Sequence, residues 1–165
     1  MVTNNKQITI FKQVYDRPLV PGEDFGVVQS TIDLHVPLAD GEFILKNLVL
    51  SVDPYMRLMF ATGGYNPGDV MSGNTMSVVL RSNNPEFKKD DIVYGLFRMG
   101  RFEEYSLVTA DFAKTAYKVR NQPKLTGLPL SNYVGVLGMP GITAYGGYAS
   151  CPLNYFHGFV DCLYL

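Results

Sequence analysis

Most of the chain consists of short segments with strand-like patterns, separated by turns that are rich in glycine and proline. This pattern restricts the fold more than any other feature of the sequence. The 165 residues include 16 Gly and 10 Pro. Alternating or continuous apolar patterns over such short stretches are typical of strands. The clearest segments are Gln7–Phe11, Val27–Val36, Phe43–Leu50, Met71–Arg81, Ile92–Phe97 and Phe102–Thr109. Many short strands joined by such turns predict a mainly β fold, with the sheet partly closed into a barrel.

Composition and charge exclude several classes of protein. The chain is 47% hydrophobic and 18% charged, which is typical of a globular domain. Its net charge of −1 predicts no nucleic-acid binding and no attraction to an acidic membrane. The two cysteines, Cys151 and Cys162, lie near the C-terminus, so the body of the chain lacks a zinc ligand set and we expect no metal. The first residues contain no apolar signal sequence, so we expect a cytoplasmic protein.

The sequence Ser-Val-Asp-Pro-Tyr-Met-Arg at residues 51–57 ends the most apolar strand segment. Pro54 fixes φ, donates no hydrogen bond and disfavours helix at Asp53, so the chain is predicted to turn there. The turn would present the Tyr55 phenol and the five donors of Arg57 at a rigid strand end, where binding sites are often built. From the residues alone, the simpler interpretation is an edge turn with Tyr55 half-buried and Arg57 in solvent.

Three blocks of sequence, in the same order, resemble the zinc-independent medium-chain dehydrogenases/reductases. They are Asn-Leu-Val-Leu-Ser-Val-Asp-Pro-Tyr-Met-Arg at 47–57, the segment 88–109 with its Glu-Glu-Tyr-Ser sequence, and the segment 128–145, which ends Leu-Gly-Met-Pro-Gly-Ile-Thr-Ala-Tyr. Together they cover about residues 5 to 150. Within the family, which includes the prostaglandin reductases, the blocks are most similar to the plant NADPH-dependent 2-alkenal (double-bond) reductases.

The resemblance implies a GroES-like substrate domain over residues 1–137 and, over 138–165, the start of a connecting helix followed by an atypical tail. It implies an NADP-dependent oxidoreductase of the 2-alkenal reductase type, which transfers hydride to the β-carbon of an α,β-unsaturated aldehyde or ketone. The implied catalytic residue is Tyr55, whose phenol would hydrogen-bond the substrate carbonyl. Arg57 is predicted to anchor the turn. The implied cofactor-binding residues are Pro54, Tyr55, Met139 and Thr143.

Two features depart from the family pattern. Gly73-Asn74-Thr75-Met76 stands where relatives usually carry Gly-Tyr or Gly-Phe followed by Gly-Val, so an aromatic wall of the substrate site is missing unless Tyr65 replaces it. No glycine-rich dinucleotide fingerprint follows a strand in the sequence. We therefore expect that the Rossmann domain is absent and that the chain is a truncated reductase, inactive alone. The alternative is a non-catalytic fragment or interaction module that pairs with full-length reductase subunits.

The C-terminal part of the chain is unusually poor in charge. From Leu125 to Val160 it contains no Asp, Glu, Lys or Arg. A contiguous apolar surface of this kind is normally covered by another body, so we expect a homo-oligomer or self-association through this segment. Glycine and proline leave no apolar run of 18 residues, so no membrane helix is predicted. Cys151 and His157 match no nucleophile motif.

Adjacent carboxyl groups at Glu103 and Glu104 suggest acid–base chemistry at first sight. Neighbouring residues on a strand point to opposite faces, so the two groups cannot share one site and are predicted to be structural. His35 is likewise predicted to be a surface residue, because nothing near it in the sequence completes a metal site.

Overall fold

A computed structural model describes residues 2–119 and 127–150 of the chain. Strands dominate the first part, and the remaining elements are short helices apart from the last one. The strands are β1 (Val2–Ile10), β2 (Phe25–Asp33), β3 (Phe43–Leu50), β4 (Thr75–Ser82), β5 (Ile92–Gly95), β6 (Tyr105–Val108) and β7 (Ala116–Lys118). The helices are α1 (Tyr55–Ala61), α2 (Ala110–Ala113), α3 (Ser131–Val134) and α4 (Met139–Ser150), with a 3₁₀ turn at Phe97–Met99. The predicted mainly β fold is confirmed.

The strands form two antiparallel sheets. β1 and β2 make a two-stranded ribbon in continuous register, from Val2 opposite Asp33 to Ile10 opposite Phe25. The other five strands form a sheet in the order β6-β3-β4-β5-β7. β4 lies at its centre and pairs with β3 through two register shifts, one after Ile44 and one after Asn47. Such bulges bend a strand and increase its twist, which helps the sheet to curve.

Backbone hydrogen bonds join the ribbon to the rest of the molecule. Ile8 N donates to Phe102 O at 2.9 Å, and Met71 N donates to Ile8 O at 2.7 Å. Isolated bridges link Gln7 to Glu103 and Thr9 to Val70. These bonds fold the ribbon against the five-stranded sheet without closing a continuous barrel, in agreement with the partly open barrel that was predicted.

Two apolar clusters form the core. The first, on the five-stranded sheet, comprises Phe43, Leu45, Val79, Phe87, Val93, Met99, Val108 and Ala113. The second joins α1 to the ribbon and comprises Ile10, Met56, Phe60, Tyr65, Met71 and Phe102. The second cluster fixes α1, because Met56 and Phe60 are its buried residues and lie four positions apart on one helix face.

Several strand boundaries differ from the sequence prediction. Phe43–Leu50 is a strand over its predicted length. The segment predicted at Ile92–Phe97 is a strand only to Gly95, because the chain then enters the 3₁₀ turn. Met71–Arg81 becomes strand only from Thr75, since Gly73 and Asn74 pass close to neighbouring backbone. Phe102–Thr109 is regular only over Tyr105–Val108.

The C-terminal elements follow the predicted order. α4 begins at Met139, with Pro140 in its first turn as expected for a helix start. The predicted division between 1–137 and 138–165 stays a prediction, and Cys151, His157 and Cys162 lie outside the described residues. Within the part of the chain that the structure describes, no helix is long and apolar enough to span a membrane. Over 2–119 and 127–150, no three His, Cys, Asp or Glu side chains are placed to hold a metal.

Candidate functional site

The Ser51–Arg57 segment leaves β3 and enters a helix. The prediction of an open turn that displays Tyr55 is wrong in this respect, because Tyr55 is the first residue of α1. Pro54 has φ −57°, which suits the start of a helix, and its carbonyl accepts from Arg57 N at 3.0 Å. Asp53 is buried, whereas Pro54 is exposed. The strand end therefore directs Asp53 inward and places Tyr55 at the helix start.

Arg57 anchors this helix to the loop that follows β1. Its guanidinium donates to the carbonyl oxygens of Val14 at 2.9 Å, Arg17 at 3.0 Å and Tyr15 at 3.2 Å. The fixed fork of donors suits several carbonyl groups at once. Arg57 thus has the anchoring role that was predicted, and it does not simply extend into solvent.

The phenol of Tyr55 lacks a hydrogen-bond partner. Its oxygen is buried, and no described residue donates to it or accepts from it. The ring of Phe97 contacts the Tyr55 ring edge-on, with centroids 5.7 Å apart. Burial, and next the nearby charge of Asp53, raises the pKa of Tyr55 well above its ordinary value. The phenol therefore stays protonated at neutral pH and can donate a hydrogen bond.

Three more polar residues accompany Tyr55, and we call Asp53, Tyr55, Asn74 and Thr75 the unpaired cluster. Thr75 pairs with Leu50 at the end of β3, and Ser51 N donates to Asn74 O at 2.9 Å, which brings the two segments together. The Asn74 amide nitrogen lies 3.4 Å from Asp53 Oδ2. The Asn74 Oδ1 and Thr75 Oγ1 atoms are buried without a partner among the described residues. Unsatisfied buried groups of this kind are rare and call for an explanation.

An apolar groove of about 530 Å³ adjoins this cluster. The residues that line it come from β5, β7, α3 and α4 and from the segments that follow β5 and α3. They are Tyr94, Leu96, Tyr117, Tyr133, Leu137, Gly138, Met139 and Ile142. Two residues of its lining, Tyr94 and Leu96, flank Gly95, which pairs with Thr75 of the cluster across β4 and β5. The arrangement joins a set of hydrogen-bonding groups to an apolar surface, as small-molecule sites generally do.

Glycines set the close approach of α3 and α4 that forms one wall of the groove. A Cβ atom at Gly141 would lie 1.7 Å from the Val136 carbonyl oxygen, and one at Gly138 would lie 2.5 Å from the Tyr133 carbonyl oxygen. Any larger residue would push α4 away from α3. These two glycines therefore place Met139 in the groove.

The predicted site residues are not all equally close to this groove. Met139 lines it, and Tyr55 belongs to the unpaired cluster beside it. Thr143 is exposed on α4, one turn after Met139. The sequence interpretation gave no role to the Asp53 carboxylate, Thr75, Tyr94 or Phe97. For Asn74 there was a signal, since it occupies the position of a missing aromatic residue.

Tyr65 does not provide the missing aromatic wall of the groove. It is 2% exposed and packs edge-on against Phe60, with ring centroids 5.3 Å apart. Its hydroxyl donates to the Ser72 carbonyl oxygen. Tyr65 is thus part of the second core cluster, beneath α1.

The structural assignment of the two adjacent glutamates agrees with the contacts. Glu103 is buried, pairs with Arg101 at 2.7 Å and accepts from Gln7 Nε2 at 2.6 Å. Glu104 is exposed and accepts from the backbone of Lys6 at 2.9 Å. The two carboxyl groups have separate partners and do not form one acid–base site.

Residues 10–115 match the family model described as the N-terminal domain of oxidoreductase. The chain therefore belongs to this family of N-terminal domains of medium-chain dehydrogenases/reductases, which confirms the resemblance.

Its curated relatives include a 2-alkenal reductase and a pulegone reductase. A 2-alkenal reductase (NADP(+)-dependent) of Nicotiana tabacum is 38% identical over 151 residues, which are 88% of this chain and 41% of the relative. The (+)-pulegone reductase of Mentha piperita is 32% identical over 151 residues, which are 87% of this chain and 41% of the relative. The chain thus spans about two fifths of the length of these curated relatives.

Solved structures of CurA from Vibrio vulnificus share the fold. One superposes with a TM-score of 0.68 at 30% identity, over 87% of this chain and 39% of CurA. A second, in complex with NADPH, superposes with a TM-score of 0.63 at 30% identity, over 86% of this chain and 39% of CurA. The predicted GroES-like fold and the relationship to NADP-dependent reductases are both confirmed.

Proposed function

We propose that this chain supplies the substrate-side half of an NADPH-dependent reductase that acts on the double bond of α,β-unsaturated aldehydes and ketones. The observation that carries the proposal is the buried phenol of Tyr55, which has no hydrogen-bond partner among residues 2–119 and 127–150 and lies beside an apolar groove. A substrate carbonyl oxygen is an acceptor that would complete this hydrogen bond. The names of the tobacco and mint relatives support the same class of reaction.

In the proposed mechanism Tyr55 acts on the carbonyl oxygen of the substrate. Bound NADPH supplies the hydride that the β-carbon receives. Negative charge then develops on the carbonyl oxygen, and the Tyr55 hydroxyl, already fixed by α1, donates a hydrogen bond that strengthens as this charge grows. A preorganised donor of this kind is worth about 10²–10³ in rate. The Tyr55 hydroxyl keeps its proton throughout, and a proton that the α-carbon takes from solvent water completes the reduction.

The described residues fit the nicotinamide end of the cofactor. The apolar groove beside Met139 suits a flat ring, and the unpartnered Asn74 Oδ1 is an acceptor that an amide could satisfy. Pro54 is exposed directly before α1 and Thr143 is exposed on α4, so both are accessible to the cofactor. These assignments of Pro54, Tyr55, Met139 and Thr143 are part of the proposal.

The test is a chimera in which this chain is joined to the dinucleotide-binding portion of the tobacco relative. We expect Tyr55→Phe to lower kcat/KM for 2-hexenal by about 10²-fold, mainly through kcat, while the Kd for NADPH changes little. Tyr15→Phe, an exposed tyrosine remote from the groove, is the matched control. Equal kcat/KM for the parent and Tyr55→Phe chimeras would remove Tyr55 from the mechanism.

A second proposal concerns self-association through the C-terminal segment, either between copies of this chain or with full-length reductase subunits. Support comes from apolar side chains, each more than half exposed, on and before α4. They are Val136, Leu137, Ile142, Tyr145 and Tyr148. Burial of apolar area is favourable by about 25 cal/mol per Å². A dimer in which a second copy covers these side chains would therefore be stabilised.

Sedimentation of the chain at micromolar concentration tests this second proposal. We expect an oligomer that the double substitution Ile142→Ser and Tyr145→Ser converts to monomer. Val27→Ser, at a similarly exposed apolar residue on β2, is the control and should leave the oligomer intact. A parent chain that sediments as a monomer would contradict it. The proposal also keeps the cytoplasmic location expected from the sequence, which cell fractionation would check.

A further inference from the structure

Phe97 has an unusual backbone conformation. Its φ is +44°, and over the described residues the only other non-glycine residue with positive φ is Asp90. Aspartate visits this left-handed region with some ease, but a bulky aromatic residue there is a genuine outlier. Such strain persists only where the surrounding structure imposes it, and it occurs most often at functional sites.

The surrounding structure does impose this conformation. Met99, two residues on, is buried in the first core cluster. Gly100 O accepts from Gly73 N at 2.8 Å, and a Cβ atom at Gly100 would lie 2.0 Å from the Gly73 carbonyl oxygen. The 3₁₀ turn is therefore clamped against the strand that leads into β4, and Phe97 is held at its start.

Burial does not account for the position of the Phe97 ring. The residue is 47% exposed, and its ring contact among the described residues is with Tyr55, at 5.7 Å and an interplanar angle of 67°. The preceding residue, Leu96, lines the groove. A strained backbone thus holds a half-exposed aromatic ring at the junction between the Tyr55 phenol and the groove.

We propose that Phe97 is a specificity-determining residue, whose ring limits the bulk of the substituent that a ligand carries next to the carbonyl bound by Tyr55. This inference rests on the proposed function, because it takes the Tyr55 hydroxyl as the group that binds the carbonyl. It assigns the role of the missing aromatic wall to a residue of the 3₁₀ turn. The ligand class is a ketone or aldehyde with a slender substituent on the side facing Phe97.

Ketone binding to the 165-residue chain tests the inference without any turnover. Tyrosine labelled with ¹³C at Cζ gives an NMR signal for Tyr55, which is assigned by its loss in Tyr55→Phe. The probes are butan-2-one and cyclohexyl methyl ketone, both saturated and unreactive toward thiols. We expect butan-2-one to shift the Tyr55 signal at lower concentration than the bulky ketone does. Phe97→Ala should reduce this ratio of Kd values by about tenfold, the scale on which apolar pockets discriminate size.

Two further variants test whether the loss of any aromatic ring changes the ratio of Kd values. Phe97→Leu keeps most of the bulk and should keep most of the discrimination. Phe11→Ala removes an aromatic ring of comparable exposure, which lies against Gly26 of β2 and does not line the groove, and it should leave the ratio unchanged. An unchanged ratio in Phe97→Ala would overturn the role of Phe97 alone. If neither ketone shifts the Tyr55 signal in any variant, the proposed function fails and this inference fails with it.

Thermal unfolding tests the strain separately. Glycine adopts positive φ without penalty, so Phe97→Gly should melt at a higher temperature than Phe97→Ala, although glycine ordinarily destabilises relative to alanine. The reverse order would show that the left-handed conformation costs nothing and would remove the structural basis of the inference.

Discussion

Two groups of polar side chains lie beside β3 and β4, and their hydrogen bonds are completed to very different degrees. The first, which we call the paired cluster, lies where β3 and β4 meet the ribbon and the segment before β6. Its members are Asn5, Gln7, Asn47, Ser77, Arg101, Glu103 and Ser106. Asn47 Nδ2 donates to the Glu103 carbonyl oxygen at 2.7 Å and to Ser106 Oγ at 3.0 Å, while its Oδ1 accepts from Ser77 Oγ at 2.6 Å.

The unpaired cluster makes far fewer hydrogen bonds within the protein. Its side chains are joined by one long contact, 3.4 Å between Asn74 and Asp53, and the phenol of Tyr55, Asn74 Oδ1 and Thr75 Oγ1 have no partner among the described residues. Buried polar groups cost about 1–3 kcal/mol each when left unsatisfied. The different degree of pairing therefore distinguishes a cluster that holds the fold from one that a ligand would complete.

The comparison is tested most strongly by removing the same side chain from each cluster. Asn47→Ala breaks several short hydrogen bonds and leaves buried partners unsatisfied, so we expect it to lower the free energy of unfolding by about 3 kcal/mol. Asn74→Ala removes one long contact together with an unsatisfied oxygen, and should cost less than about 1 kcal/mol. Urea unfolding of both variants gives these values. Similar decreases in the free energy of unfolding for the two variants would show that both clusters contribute equally to stability.

Sequence reasoning found the paired regions more readily than the unpaired one. The apolar run Phe43–Leu50 forms a strand in any context that buries it, and it does so here over its full predicted length. The burial of Asp53 could not be predicted in this way. Aspartate before proline is typical of an exposed turn. Asp53 and Asn74 are 21 positions apart in the chain, and their approach depends on the register between β3 and β4.

The candidate site was predicted only through its family motif. Tyr55 and Met139 were named from sequence resemblance, and the structure places them in the cluster and in the groove. Nothing in the residues around Phe97 signalled positive φ, because the 3₁₀ turn follows from long-range clamping by Gly73 and Gly100. Local patterns carry no information about such non-local contacts.

A second test compares two buried aspartates with different partners. Asp24 is held by Arg17, whose nitrogens lie 2.7 and 2.8 Å from its oxygens, and by Val20 N, whereas Asp53 has no ion pair among the described residues. The hydrogen bonds from Arg17 lower the pKa of Asp24 to about 2, from an ordinary 3.8. A carboxyl with a lowered pKa stabilises the fold above its ordinary pKa, and this stabilisation is lost as the pH falls through about 2.

We therefore expect Arg17→Met to destabilise the chain clearly at pH 6, and this difference from the parent to shrink as the pH falls from about 4 to 2. The effect is smaller than that of Asn47→Ala, because the Arg17 side chain is 40% exposed and solvent screens the pair. Chemical unfolding at pH 6, 4 and 2 measures it. Asp53→Asn is the matched change in the unpaired cluster, and its effect on stability should be small at pH 6. A difference between parent and Arg17→Met that persists at pH 2 would exclude the ion pair as its cause.

The smallest expected effect is also the most specific, because one chemical change should have opposite signs at two tyrosines. Tyr55→Phe removes a buried hydroxyl without a partner, so we expect it to raise the free energy of unfolding by up to about 1 kcal/mol. Tyr65→Phe removes a hydroxyl that donates to the Ser72 carbonyl oxygen, and should lower it by about 1 kcal/mol. Urea unfolding at pH 7 compares the two in the same background. A stabilised Tyr55→Phe chain would mean that the Tyr55 hydroxyl is retained at a cost to folding, as expected of a group that binds a ligand. A destabilised Tyr55→Phe chain would show that the phenol is already satisfied within the protein, and the distinction between the two clusters would fail at its central residue.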